Sequence, residues 1–129
     1  MATQLSDVIE SFESSFMDKK EIPDSLEMMW LKKAIAQFCV EISPLEYDEE
    51  LGAFHSDLDQ YTIDVLATMI KIYYLEREYS RVNKIASIVG KDLSVNSGMS
   101  LSKNVEIELN KVKSDLIEML DNLKPSAYN

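Results

Sequence analysis

Cysteine, glycine and proline are all scarce in this chain of 129 residues, which has one of the first and three of each of the others. A lone Cys39 excludes an intrachain disulfide framework and a thiolate cluster for zinc, and it fits a reducing compartment. So little turn chemistry argues against a sandwich or barrel of many short strands and in favour of helices. Long apolar runs are missing as well. The longest, Val65 to Leu75, is interrupted by Lys71 and falls short of the ~30 Å hydrocarbon core of a bilayer. The start, Met1-Ala2-Thr3-Gln4-Leu5-Ser6-Asp7, has no basic stretch followed by a long apolar segment, so neither a secretory leader nor a membrane association is expected.

Apolar residues nonetheless make up 46% of the chain, enough to bury a core, and the length suits one domain. Thirteen basic against twenty-three acidic residues leave a net charge of −10, which opposes nonspecific approach to a phosphate backbone. The charge is unevenly spread. Residues 1–58 carry four basic and thirteen acidic side chains, whereas residues 59–129 carry nine and ten. From Lys71 to Lys91 five basic residues (Lys71, Arg77, Arg81, Lys84, Lys91) stand against Glu76 and Glu78. Such a split is what ordinary solvated helix faces give, and it is also what an acidic region meeting the basic region of a second copy requires.

Periodicity predicts four helices. Leu5, Val8, Ile9, Phe12 and Phe16 recur on one face of a first helix from about Gln4 to Asp18. After Pro23, Ser25 is the expected cap of a second, which reaches about Ile42. Its apolar positions Leu26, Met29, Trp30, Leu31, Ala34, Ile35, Phe38, Cys39 and Ile42 exceed a narrow stripe and suggest a helix between neighbours. Ser43-Pro44 stops it, and Leu45 to Asp57 reads as an acidic loop holding Glu46, Asp48, Glu49, Glu50 and Gly52. A long third helix starts near Asp59 as cap and ends near Val89, with Gly90 as its stop. Gly90 to Ser102, with Asn96-Ser97-Gly98, reads as a polar loop. Then Val105, Leu109, Val112, Leu116, Met119 and Leu123 form a short heptad seam that Lys124-Pro125 ends. The expected architecture is all-α, a bundle of about four helices with one long central helix. Residues 1–123 form a single helical domain, and residues 124–129 form an extended C-terminal tail.

Chemistry is thinly represented. His55 is the only histidine, and Cys39 lies mid-helix among apolar residues, so a Cys–His nucleophile lacks its third member. Asp57 and Asp59 beside Glu49 and Glu50 have the residue types of a calcium site without the alternating oxygens and central glycine of an EF-hand loop. Gly52, Gly90 and Gly98 are isolated, which leaves no phosphate-cradling loop. The tyrosines among the basic residues (Tyr73, Tyr74, Tyr79) suit a helix or subunit interface better than base stacking, because Glu76 and Glu78 sit among them. Neither enzymatic activity nor a cofactor or metal is expected.

Three features carry a resemblance. They are the long third helix with Tyr74-Leu75-Glu76-Arg77-Glu78-Tyr79-Ser80-Arg81, the polar segment Lys91 to Ser102, and a last helix followed by Pro125-Ser126-Ala127-Tyr128-Asn129. Over Tyr61 to Asn129 this pattern resembles the head-to-tail connector (adaptor) proteins of tailed bacteriophages, and the first 58 residues add a compatible helical pair. The resemblance implies a structural protein of the virion neck, assembled in the host cytoplasm. It implies a homo-oligomeric ring of about twelve subunits between a portal protein and a stopper or tail protein, with DNA passing through unbound. Tyr74, Arg77, Tyr79, Arg81, Lys84, Pro125, Tyr128 and Asn129 are then the candidate subunit or partner interface. Glu46, Asp48, Glu49 and Glu50 are the candidate acidic interface or lumen, and the tail is a segment that a partner could order, by strand addition among other ways. The competing reading is a small acidic helical regulator or inhibitor that covers a basic surface of another protein.

Overall fold

The computed structural model describes residues 3–15, 22–89 and 95–123, and side chains within 3–15, 22–84 and 103–123. Its fold is all-α with a minor hairpin. The elements are α1 (Leu5–Ser14), α2 (Asp24–Glu41), β1 (Tyr47–Asp48), β2 (Ala53–Phe54), α3 (Gln60–Val89) and α4 (Val95–Leu123). Contacts divide the chain into two compact units, one of Met1–Ile70 with Leu116–Asn129 and the other of Lys71–Asp115.

In the first unit, α1 begins where the Asp7 carboxylate accepts the Gln4 backbone N–H at 3.0 Å. It buries Leu5, Val8 and Phe12 as the spacing predicts. It is described to Ser14, and in its last turn the Ser14 and Ser15 hydroxyls donate back to the carbonyls of Ser11 (2.9 Å) and Phe12 (2.6 Å). The expected continuation through Phe16 to Asp18 lies outside the described residues.

Helix α2 is capped two residues earlier than expected. Pro23, with φ −58° and ψ 137°, holds the cap position, and its carbonyl accepts the N–H groups of Leu26 (3.0 Å) and Glu27 (3.2 Å), so Ser25 lies inside the first turn. Burial is confined to Glu27, Trp30, Leu31, Ala34, Ile35 and Phe38, while Met29 and Val40 are exposed. The helix therefore has an open apolar edge rather than neighbours all round. Cys39 fastens its far end: the thiol sulfur accepts the Leu45 N–H at 3.2 Å across the Ser43-Pro44 stop.

The segment read as an acidic loop contains an antiparallel hairpin, Tyr47 paired with Phe54 and Asp48 with Ala53. Asp48 builds the turn, its Oδ1 accepting the N–H of Glu50 (2.9 Å) and Leu51 (3.3 Å) and its carbonyl that of Gly52 (2.9 Å). Gly52 supplies the left-handed step at φ +64°. The chain before α1 adds to this hairpin. Thr3 accepts the Phe54 N–H at 2.8 Å, Leu5 donates to the Gly52 carbonyl at 2.9 Å, and Gln4 pairs with Ala53. Phe54 is buried and meets Tyr47 edge-on at 6.4 Å.

Asp59 caps α3 as expected, accepting the Thr62 N–H at 2.8 Å, and the helix reaches Val89. The proposed stop at Gly90 is outside the described residues. Within the first unit α3 buries Val65, Leu66, Ala67, Met69 and Ile70; Tyr61 donates to the Met119 carbonyl at 3.4 Å and accepts from Asn122 at 3.2 Å.

In the second unit α3 buries Ile72, Tyr73, Tyr74, Leu75 and Val82, and α4 buries Leu109 and Val112. Helix α4 begins at Val95, so residues 95–102 are helical where a polar loop was expected. One glycine inside a helix costs about 1 kcal/mol and no proline follows Gly98 until Pro125, so nothing there ends a helix already held by packing further on. The heptad seam survives with one change. Leu109, Val112, Leu116 and Leu120 are buried, while Val105, Met119 and Leu123 are half-buried.

A side chain at Gly52 would meet nothing within 4 Å, so substitution there is resisted by backbone conformation alone. Gly52→Ala is expected to lose about 1–2 kcal/mol in urea unfolding, and Gly52→Asn clearly less. An alanine variant with the wild-type midpoint would show that the turn does not need the left-handed conformation.

Candidate interaction surfaces

The acidic residues picked out in the sequence come together at the hairpin, and most of them are engaged. Glu46 faces His55, Oε2 to Nδ1 at 3.2 Å, and Asp48 holds the turn. Glu49 pairs with Lys32 of α2 at 2.6 Å, and that hydrogen bond with its attraction raises the lysine's pKa. Glu50 is exposed. Three of the four carboxylates thus shape or brace the hairpin, while their charge remains at its tip.

The basic candidates lie on α3 in the second unit. Arg77, Arg81 and Lys84, spaced by four and three, share one exposed face. Arg81 reaches back to Glu78 with Nη2 at 2.8 Å and Nε at 3.3 Å, and this hydrogen bond raises its pKa. Tyr79 is half-buried. Tyr74 departs from expectation: at 7% exposure it is an interior residue, because Ile72 to Leu75 are buried on every side of the helix. Pro125, Tyr128 and Asn129 lie outside the described residues.

Grouped by unit, the charge separation is sharper than by sequence. Residues 1–70 with 116–129 hold seventeen acidic and five basic side chains, a formal −12. Residues 71–115 hold six and eight, a formal +2.

Sequence reasoning missed a polar groove of about 720 Å³ in the first unit. One wall is the outer face of α1 with Asp7, Glu10, Ser11 and Ser14, and the other is Asp57, Leu58, Gln60 and Ile63. Thr3 closes its end, its hydroxyl donating to Asp57 Oδ1 at 2.9 Å and accepting the Leu58 N–H at 2.8 Å. Ser11 (3.3 Å) and Gln60 (2.9 Å) both donate to Asp64 Oδ1. The α1 wall was visible as the reverse of its apolar stripe; the facing wall lies about fifty residues on and left no local signal.

The other chemical candidates do not assemble. Cys39 is bound to the Leu45 backbone and His55 to Glu46, and among the described residues no three His, Cys, Asp or Glu side chains are grouped to hold a metal ion. Among those residues no helix is long and apolar enough to cross a membrane. No protein-family model, curated protein or solved structure matches the chain.

At the groove's edge, hydrogen bonds from the Thr62 hydroxyl and backbone N–H hold the Asp59 carboxyl below its ordinary pKa. A carboxyl depressed on folding stabilises above its unfolded pKa and stops doing so as pH falls through the folded one. Asp59→Asn keeps a good cap without the titration. Its unfolding midpoint is expected to match wild type near pH 7 and to fall less between about pH 5 and 3. An unchanged acid limb would remove Asp59 from the titrating set.

Proposed function

We propose that this chain is a non-catalytic structural subunit that assembles head to tail into a ring, and that the ring serves as the connector between portal and stopper or tail in the neck of a tailed bacteriophage. The observation that carries the reading is the division of charge between units, −12 against +2. Opposite surfaces on one chain favour a heterologous contact, in which the acidic unit of one copy meets the basic unit of the next, and such contacts close into rings when the rotation permits. An acidic lining repels duplex DNA, so DNA slides through without sticking. The work of the protein is then mechanical and electrostatic.

The acidic groove on α1 favours a second reading, a regulator that seats a basic segment of a partner protein. It differs in stoichiometry. Native mass spectrometry of the full chain, alone and after mixing with portal rings, separates the two. A closed multiple near twelve in either sample is the result expected of the connector. A monomer in both, together with salt-sensitive one-to-one binding to a basic protein, would replace the ring with the regulator.

A further inference from the structure

We propose that the tip of the hairpin in one copy docks on a basic stripe of α4 in a second copy, with Leu51 meeting Ile107. This rests on the reading of the chain as a self-associating subunit, and it names the surface that such a subunit would use. Leu51 is 75% exposed and Ile107 is 59% exposed. Single exposed apolar residues are ordinary; what this pair adds is opposite charge around its two members.

Leu51 stands in the turn directly after Asp48, Glu49 and Glu50, on a hairpin tied to α1 and braced to α2. The tip is therefore presented in a fixed orientation, which lowers the entropy lost on docking. On α4 the positions three and four residues either side of Ile107, and seven after it, share its face. They are Lys103, Asn104, Asn110, Lys111 and Ser114, all exposed and none acidic. Glu106 and Glu108 lie off that face, and Glu108 is turned to Lys71 at 4.0 Å. An apolar side chain directly after an acidic run thus meets an apolar side chain set between two ammonium groups, opposite in sign.

The match is heterologous. Each copy offers one tip and one stripe, so bound copies retain an unused half of each kind until the ring closes. The apolar area at one contact is small, so the electrostatic share is large and the contact is weakened by salt.

The test uses the full chain in whichever sample, alone or with portal rings, contains oligomers. Glu50→Lys, and separately Lys103→Glu with Lys111→Glu, place like charges across the contact while leaving the Glu49–Lys32 pair intact, and each is expected to weaken assembly about tenfold or more. The combined variant restores opposite signs and is expected to assemble within about threefold of wild type. Should the lysine pair lose the helical circular dichroism spectrum, Lys111→Glu alone and its combination with Glu50→Lys carry the same comparison. Variants that assemble like wild type, or a combined variant no better than its parents, would overturn the surface and leave self-association standing. A wild-type chain that is monomeric in both samples would remove both.

Discussion

One buried threonine holds the acidic unit in shape. Thr3, 5% exposed, donates to Asp57, accepts from the Leu58 N–H, and through its carbonyl receives the Phe54 N–H. Three bonds from one residue therefore reach positions more than fifty residues along the chain. Closing so long a loop costs conformational entropy, and burial of Leu5, Val8, Phe12 and Phe54 beside the seam offsets it. Because the seam fixes the hairpin against α1, it also fixes the acidic tip and one wall of the groove.

That unit must fold with a formal charge of −12. Six of its carboxylates have partners around the hairpin and the start of α3. Asp48, Asp57, Asp59 and Asp64 accept hydrogen bonds from turns, hydroxyls or an amide, and Glu46 and Glu49 face His55 and Lys32. These bonds place the charges without cancelling them, so self-repulsion persists and a basic surface supplied from outside relieves it. In the proposed assembly the second unit of a neighbouring copy, with its formal +2, takes that place. Fold and proposed assembly are linked here: the bonds that order the hairpin also concentrate the field that favours a neighbour.

How much was legible in the sequence depends on the distance over which each signal acts. The four helices and the Asp59 cap are local, set by apolar spacing and one side chain, and both were readable. The hairpin was hidden because strands of two residues offer no alternation to detect, and the Asp48 to Gly52 turn sits in an acid-rich run that looks like loop. The start of α4 was hidden by Gly98, whose cost is smaller than the packing that carries the helix. Tyr74 looked like a surface residue from its charged sequence neighbours, yet the four-residue stretch Ile72 to Leu75 is buried throughout. The Thr3 seam and the groove join segments far apart in sequence, and no residue pattern announces a pairing that only the tertiary fold creates.

In this proposal, separated charge drives copies of the chain together. Sedimentation velocity of the full chain, alone and mixed with portal rings, is the decisive measurement, taken across ionic strengths from about 20 mM to 1 M, where the screening length falls from roughly 20 Å to 3 Å. Multimers at low salt that dissociate progressively as salt rises are expected in at least one of the two samples. Sedimentation that is independent of salt in both samples would rule out charge as the drive.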